Sequence, residues 1–295
     1  MRLIDTETLE LVEFFDSSIP PYAILSHTWE TAEVTFQDMT STPRPTAKAG
    51  YGKIVKTCLL ARIMGFKHAW IDTCCIDKSS SAELTESINS MFAWYRQSLI
   101  CFVYLSDYSL PHSGPLGSSR WFSRGWTLQE LLAPGKVEFY DKHWNLVGTK
   151  LDMCDDLVRI TSIPAEVIKG IEPLDEFSVA QRMSWAARRQ TTRLEDRAYS
   201  LLGVFDIHMP LIYGEGVQAF RRLQEEIIKR VFDMSIFSWE PDDNLDGVCS
   251  PLATSPDAFR DNRWQVRLHY PSQGWVRDPL PRVTARHGQD QRRRI

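Results

Sequence analysis

The sequence predicts an α/β fold, with a parallel sheet flanked by helices and followed by a C-terminal helical extension. Residues Leu99–Leu105 form an uninterrupted apolar, β-rich run, which is typical of a central strand covered on both faces. Strand patterns alternate with helix patterns around this run, which indicates parallel strands joined by right-handed crossovers. Helix patterns dominate between residues 150 and 240, and they predict the extension.

Local patterns predict each element of the sheet domain. An N-terminal edge strand or arm and four sheet strands are predicted at Leu9–Phe15, Tyr22–Ser26, Phe66–Ile71, Leu99–Leu105 and Lys136–Tyr140. Apolar residues recur at helical spacing from Tyr51 until Gly65, which is a typical C-cap. Ser80 and Glu83 have the spacing of a capping box, so they predict the start of the next helix.

The second half of the chain is predicted to be helical and then irregular. Helices are predicted at Leu151–Ile160, Ser178–Arg189, Arg193–Phe205 and Glu215–Phe232. Arg188, Arg189 and Arg193 precede Glu195 and Asp196, which predicts a salt-bridged surface, with a nucleotide-phosphate contact as the alternative. The predicted organisation is an α/β domain with its arm at residues 1–148, a helical extension at 149–240 and an irregular, disordered tail at 241–295.

Composition excludes several classes of function. The chain has 295 residues, a formal net charge of −4 and no basic stripe interleaved with aromatics in its first 240 residues, so no nucleic-acid partner is expected. It has no apolar run long enough to span a bilayer and no signal-peptide pattern, which predicts a cytoplasmic protein without a membrane partner. Cys74 and Cys75 are adjacent but lack a CxxC or metal-ligand spacing, so we expect buried thiols and no metal site.

Polar residues follow three of the predicted strands at the point where each strand ends. Ser26 and His27 end the first, Asp72 follows the second, and Ser106 and Asp107 follow the third. Ligands of parallel sheets bind outside the carboxyl ends of the strands. The sequence therefore predicts a ligand site along this edge, although polar residues also occur at ordinary strand exits.

The segment Ser119–Leu132 adds a carboxylate to this prediction. Glu130 lies on a short predicted helix and points away from its leucine stripe, after a loop rich in Pro, Gly and Ser. The same segment supplies two arginines and two tryptophans: Arg120, Trp121, Arg124 and Trp126. Glu130 is therefore either a site carboxylate or an ordinary solvated helix residue.

Five blocks of the sequence form an ordered series: Tyr22–Trp29, Ala69–Asp77, Ile88–Tyr95, Val103–Asp107 and Arg120–Leu131. In this order they resemble the successive blocks of the fungal heterokaryon-incompatibility (HET) domain. HET domains are linked to non-self recognition between fused fungal cells, where they trigger programmed cell death. They are considered distant relatives of TIR domains, so the resemblance implies a flavodoxin-like or TIR-like sheet.

The TIR relationship implies two alternative functions. Trp126 and Glu130 have the spacing of the TIR block Trp-Cys-x-x-Glu-Leu, although this chain lacks the Cys. The glutamate of that block is the catalytic acid of TIR enzymes that cleave NAD, which implies an NAD nucleosidase. Many TIR domains are instead scaffolds without activity, which implies a protein that self-associates or docks on an unknown incompatibility partner.

The enzyme alternative assigns a role to each candidate residue. Glu130 would stabilise the oxocarbenium-like charge as nicotinamide leaves. The other residues would bind NAD as substrate, with no cofactor: Ser26, His27, Trp29, Asp72, Ser106, Asp107, Arg120, Trp121, Arg124 and Trp126. This alternative requires that Ser26, His27, Asp72, Ser106 and Glu130 surround a common cleft.

Overall fold

A computed structural model describes residues 1–15, 18–44, 46–111, 113–240 and 250–260. These residues contain a seven-stranded sheet. Its strands are β1 (Arg2–Asp5), β2 (Leu11–Glu13), β3 (Ala23–His27), β4 (His68–Trp70), β5 (Ile100–Tyr104), β6 (Val137–Tyr140) and β7 (Leu146–Thr149).

The sheet is mixed, with a parallel centre and antiparallel edges. Its strand order is β2-β1-β4-β3-β5-β6-β7. Strands β4, β3, β5 and β6 are parallel to one another, whereas β1, β2 and β7 run antiparallel to their neighbours. The predicted α/β fold with parallel strands is therefore confirmed.

Helices cover the sheet and form most of the second half of the described chain. In the sheet region they are α1 (Phe36–Thr40), α2 (Ala49–Ile63), α3 (Asp72–Cys75), α4 (Ser81–Gln97), α5 (Arg120–Ser123) and α6 (Thr127–Leu132). The later helices are α7 (Cys154–Thr161), α8 (Ala165–Ile168), α9 (Val179–Ala186), α10 (Asp196–Tyr199) and α11 (Gln218–Arg230).

Strand β5 lies inside the parallel part of the sheet, between β3 and β6, because its residues are apolar on both faces. Its first four residues, Ile100, Cys101, Phe102 and Val103, are buried. Helices can pack on both faces of such a strand at little cost in free energy. Burying each large apolar side chain stabilises the fold by about 1.5–3 kcal/mol. The prediction made from Leu99–Leu105 is confirmed.

Both edges of the sheet contain strands that the sequence did not indicate. In β1 the polar residues at the two ends flank the buried pair Leu3 and Ile4. In β7 no residue is buried. A four-residue strand is too short for its alternating pattern to be distinguished from the sequence of an irregular segment. These strands form because a neighbouring strand supplies hydrogen-bonding partners, which is tertiary information.

The region after β7 packs as a helical layer, and part of the predicted tail packs with it. The third predicted helix, Arg193–Phe205, is much shorter in the structure, since only Asp196–Tyr199 is α-helical. Within the predicted tail, Phe259 is buried and Asp257 forms an ion pair with Arg197. The remainder of that predicted tail, 241–249 and 261–295, lies outside the described residues.

The order of the parallel strands creates a crevice beside β3. The chain leaves β3 for β4 on one side, and then crosses back to β5 on the other side. Right-handed crossovers in opposite directions place α2 on one face of the sheet, and α4, α5 and α6 on the other. The carboxyl ends of β3 and β5 therefore lie where the helices of the two faces diverge.

Candidate functional site

The last two residues of β3 divide the predicted site between the two faces of the sheet. Side chains alternate along a strand, so Ser26 faces α6, whereas His27 lies on the face covered by α2. Both residues are buried, with exposed fractions of 1% and 6%. The structure thus separates residues that the sequence pattern placed around one cleft.

On the α6 face, three side chains form what we call the carboxyl cluster: Ser26, Trp121 and Glu130. The Ser26 hydroxyl donates a hydrogen bond to Glu130 Oε2, and Trp121 Nε1 donates to the same hydroxyl oxygen at 2.8 Å. Trp121 is fully buried and packs edge-on against Phe139, with 5.6 Å between ring centroids. Because Ser26 is both donor and acceptor, its hydroxyl is held in one orientation.

Burial determines the protonation state of Glu130. The residue is 7% exposed, and loss of water raises the pKa of its carboxyl to about 8. The bond from Ser26 lowers this pKa, the charge of Asp72 raises it and that of Arg124 lowers it, but burial is the largest cause. The carboxyl is thus mostly protonated at neutral pH. The alternative that Glu130 is a solvated helix residue is wrong.

Arg189 is buried close to this cluster instead of lying on a salt-bridged surface as predicted. It is 6% exposed and donates to the carbonyl oxygens of Trp185 and Arg124, at 3.2 and 2.9 Å. It also donates to Thr127 Oγ1 at 3.0 Å. The arginine therefore ties α9 to the first turn of α6, which is the helix that carries Glu130.

A polar rim adjoins the carboxyl cluster at the ends of β3 and β5, where the Trp121 backbone N–H donates to Ser119 Oγ. Asp107 accepts hydrogen bonds from the Ser119 hydroxyl at 2.7 Å and from the Arg120 backbone N–H at 2.9 Å. Burial alone would raise the pKa of Asp107, but these bonds outweigh it and lower the pKa. The exposed guanidinium of Arg120 lies 3.4 Å from both Ser106 Oγ and Glu30 Oε1. Arg120 therefore bridges the two strand ends.

Trp29 and Asp72 meet at a separate point on the same edge. Trp29 Nε1 donates to Asp72 Oδ2 at 2.9 Å, and Trp29 is 42% exposed. The ammonium of Lys78 lies 3.5 Å from the centre of the Trp29 ring and 3.9 Å from Asp72. This geometry combines a cation–π contact with an ion pair, so it fixes an exposed indole.

On the α2 face, His27 adjoins a buried ion pair. Lys53 and Glu33 are paired, and His27 Nε2 lies 3.7 Å from Glu33 Oε2, while neither ring nitrogen of His27 has a hydrogen-bond partner among the described residues. Burial alone would raise the pKa of Glu33, but His27 and Lys53 lower it to about 2. A cleft of about 390 Å³ opens here, and Tyr104 forms part of its wall.

Two predicted residues lie away from both clusters. The side chain of Trp126 lies beside Asp196 of α10, where it partly offsets the burial that raises the pKa of that carboxyl. Arg124 takes part mainly through its carbonyl oxygen, which accepts from Thr127 Oγ1 at 2.8 Å. Of the predicted residues, the structure brings together Ser26, Trp121 and Glu130 in the carboxyl cluster, with Ser106, Asp107 and Arg120 on the adjoining rim.

Sequence reasoning missed Glu33, Lys53 and Tyr95. Lys53 is a buried cation in the first turns of α2, and its partner Glu33 lies in the loop between β3 and α1. Tyr95 donates to the carbonyl of Leu25 at 3.1 Å, and the charge of nearby Glu130 adds to burial in raising the pKa of Tyr95. No spacing in the sequence indicates these contacts, because they depend on which helix crosses which face.

Neither a metal centre nor a membrane-spanning helix is found in the described part of the chain. Within residues 1–15, 18–44, 46–111, 113–240 and 250–260, no group of three or more His, Cys, Asp or Glu side chains is arranged to hold a metal ion. Over the same residues, no helix combines the length and apolar character that crossing a membrane requires.

Comparison with known proteins identifies the domain. Residues 22–116 match the family described as heterokaryon incompatibility protein (HET), and residues 218–277 match a domain of unknown function, DUF8212. The chain is 48% identical over 223 residues to vegetative incompatibility protein HET-E-1 of Podospora anserina. That alignment covers 72% of this chain but only 16% of the relative. No solved structure matches the chain significantly.

The matched range covers the strands β3, β4 and β5 and ends before the helix that carries Glu130. It includes the strand ends and the residues of the α2 face, with Ser26, His27, Lys53 and Ser106. The 48% identity over 223 residues extends the similarity well beyond this range. The chain is therefore a member of the heterokaryon incompatibility (HET) domain family.

Proposed function

We propose that this chain is an effector of fungal vegetative incompatibility, which acts when non-self cells fuse and leads to programmed cell death. The match of residues 22–116 to the HET family and the 48% identity to an incompatibility protein support this proposal. The proposal places the action in the shared cytoplasm of fused cells. Because the alignment spans 16% of the relative, the activity of the rest of that protein is not transferred.

The proposed fold type is flavodoxin-like or TIR-like. Numbered along the chain, the four parallel strands have the spatial order 2-1-3-4, which is the order in which flavodoxin-like sheets begin. In such sheets the ligand site lies between the first and third parallel strands, here β3 and β5. The carboxyl cluster and its rim occupy that position.

The proposed activity is hydrolysis of the nicotinamide–ribose bond of NAD, with Glu130 as the catalytic carboxylate. Water attacks C1′ of the ribose, the C–N bond breaks with its electron pair going to nicotinamide, and the proton of water is released to solvent. An ionised carboxylate stabilises the positive charge that develops on the ribose. The hydrogen bond that Ser26, near the end of β3, donates to the buried Glu130 is the observation that supports this activity.

This activity requires the carboxyl cluster to open. Glu130 is buried and mostly protonated at neutral pH. It therefore carries no negative charge, and its oxygen atoms cannot contact a substrate. Displacement of α5 would break the bond from Trp121 to Ser26 and admit water, and solvation would lower the pKa of Glu130. The proposed enzyme is thus at rest in a closed state.

A second candidate function, a non-catalytic scaffold, is favoured by the same closed geometry and by one exposed surface. Val55, Leu59 and Ile63 recur at four-residue spacing on α2, with exposed fractions of 39%, 39% and 72%. An apolar stripe of this kind is suited to self-association or to docking on an incompatibility partner. In that case death follows downstream, without chemistry at Glu130.

Expression in a fungal host tests the effector role and separates the two mechanisms. We expect the wild-type chain to reduce viability, and Glu130→Gln, which preserves shape but removes the charge, to restore it if the chain acts as an enzyme. Glu86→Gln is the matched control, because Glu86 is an exposed glutamate on α4. Normal viability with the wild-type chain would contradict the effector proposal. Killing by Glu130→Gln at the wild-type level would contradict the enzyme alone.

A further inference from the structure

The cleft on the α2 face is a second potential ligand site, separate from the carboxyl cluster. Its volume of about 390 Å³ lies within the range of small-molecule sites. It opens between the loop after β3, the first turns of α2 and the turn between β6 and β7. Its principal lining side chains are Glu30, Glu33, Lys53, Lys56, Tyr104 and Trp144.

One wall of this cleft is a fixed aromatic surface. The rings of Tyr104 and Trp144 are stacked, with 4.6 Å between centroids and an interplanar angle of 20°. The turn that carries Trp144 is built on the buried carboxylate of Asp141, which accepts from the backbone N–H groups of His143 and Asn145 at 2.9 Å each. A preformed indole of this kind offers a flat face on which a base can stack.

The rest of the cleft lining carries charges of both signs. Glu33 is paired with Lys53, whereas Lys56, one turn further along α2, forms no ion pair within the part of the chain that the structure describes. Glu30 is exposed and contacts Arg120 on the rim. Carboxylates accept hydrogen bonds from ribose hydroxyls, and an unpaired lysine attracts phosphate.

The position of the cleft at the sheet edge also favours a nucleotide. Ligands of open α/β sheets bind where the strand order reverses, which is beside β3 in this sheet. Tyr104 ends β5, and Glu30 and Glu33 follow β3, so the cleft lies directly over this reversal. Gly52 leaves its mouth open, because a Cβ added there would have no atom within 4 Å.

We infer that this cleft binds a ribonucleotide, with its base on Trp144, its ribose hydroxyls near Glu30 and Glu33, and its phosphate near Lys56. The site lies on the opposite face of the sheet from Glu130, so binding does not depend on hydrolysis of NAD. The contact between Glu30 and Arg120 links the cleft to the rim of the carboxyl cluster. A dinucleotide held at the cleft would extend across this edge.

Calorimetric titration of the purified chain with AMP tests the inference. We expect AMP to bind, and 2′,3′-dideoxy-AMP to bind at least 10-fold more weakly because it lacks the ribose hydroxyls. Gly52→Phe should place a ring in the open mouth and weaken AMP binding at least 10-fold, whereas Gly52→Ala should leave it unchanged. Neither substitution meets a neighbouring atom at Cβ, so both variants should fold.

Three further variants test where the phosphate lies and on which face of the sheet AMP binds. Lys56→Gln should weaken AMP binding about 5-fold, while Lys136→Gln, an exposed lysine at the amino end of β6, should not. Glu130→Gln should bind AMP as the wild type does, whether or not NAD is hydrolysed. The inference would be overturned if the wild type bound no AMP at millimolar concentration. It would also be overturned if Gly52→Phe and Lys56→Gln both kept the wild-type affinity, or if Glu130→Gln abolished AMP binding while the cleft variants did not.

Discussion

Glu130 and Glu33 lie near the end of the same strand, on opposite faces of the sheet, and their surroundings shift their pKa values in opposite directions. Glu130 meets a hydroxyl in a dry pocket, and its pKa rises to about 8. Glu33 is also largely buried, yet His27 and Lys53 lower its pKa to about 2. Burial alone therefore does not determine whether a carboxyl is ionised. The charged and hydrogen-bonding groups that surround it in place of water determine this.

This difference separates two kinds of site at one sheet edge. On the α2 face Glu33 and Lys53 are both charged because they are paired with each other, and the cleft beside them is open. On the α6 face the Glu130 carboxyl is buried and mostly protonated at neutral pH, and Asp107 and Arg120 form the adjoining rim. The first geometry suits binding of a ligand, and the second suits a group that acts only after it is exposed.

The largest expected effect is loss of the ion pair on the α2 face. Lys53→Met leaves the Glu33 carboxylate largely buried without its ammonium partner, which should lower the free energy of unfolding by about 3–5 kcal/mol. Urea unfolding followed by circular dichroism measures this. Lys56→Met is the control, since that lysine is exposed on the same helix. Equal stability of the two variants would show that the pair is not structurally important.

The next effect is the pH dependence that Glu130 imposes. Its pKa is about 8 in the folded protein, against 4.5 for an ordinary solvated glutamate, so between these values the folded chain holds a proton that the unfolded chain releases. The free energy of unfolding should therefore fall as pH rises, by about 2 kcal/mol between about pH 6 and 8. Urea unfolding at each pH, compared between wild type and Glu130→Gln, isolates this contribution.

Glu86→Gln supplies the matched control for that titration. Because the side chain of Glu86 is exposed on α4, the variant should retain the wild-type pH slope. The pH slope of Glu130→Gln should be shallower than that of wild type and of Glu86→Gln. The same slope in Glu130→Gln and wild type would mean that Glu130 is not protonated in the folded state.

The smallest effect distinguishes a buried indole from an exposed one. Trp121→Phe removes the hydrogen bond to Ser26 inside the carboxyl cluster, and it should lower the free energy of unfolding by about 1 kcal/mol. Trp29→Phe removes a bond of similar length to Asp72 at the surface, where water replaces it at little cost. Thermal unfolding of both variants checks the order. A larger loss for Trp29→Phe would contradict it.

The sequence predicted the centre of this fold better than its edges. The apolar run around β5 and the capping-box spacing at Ser80 are local signals, and both elements form close to where they are predicted. Strands β1 and β7 are short and depend on a neighbouring strand, so no local pattern indicates them. At Glu83 the capping spacing is present, but its carboxylate bonds instead to Arg2 and to the Asp77 backbone N–H.

The candidate site was predictable in position but not in environment. Parallel strands with polar ends placed Ser26, Ser106 and Asp107 correctly at one edge. Strand alternation could have separated Ser26 from His27, but only the crossover direction shows which helix covers each. The burial of Glu130 depends on how α5 and α6 fold back over β3, and spacing within the segment does not encode that.

Nicotinamide release from NAD by the purified chain tests most directly whether Glu130 is the catalytic carboxylate. Wild type and Glu86→Gln should release nicotinamide at equal rates, and the rate should rise with pH up to about 8, as the carboxyl ionises. Glu130→Gln should remain folded and lose about 3 kcal/mol of transition-state stabilisation, roughly a hundredfold in rate. No release by the folded wild type between about pH 6 and 9, or equal rates in wild type and Glu130→Gln, would contradict NAD hydrolysis at this site.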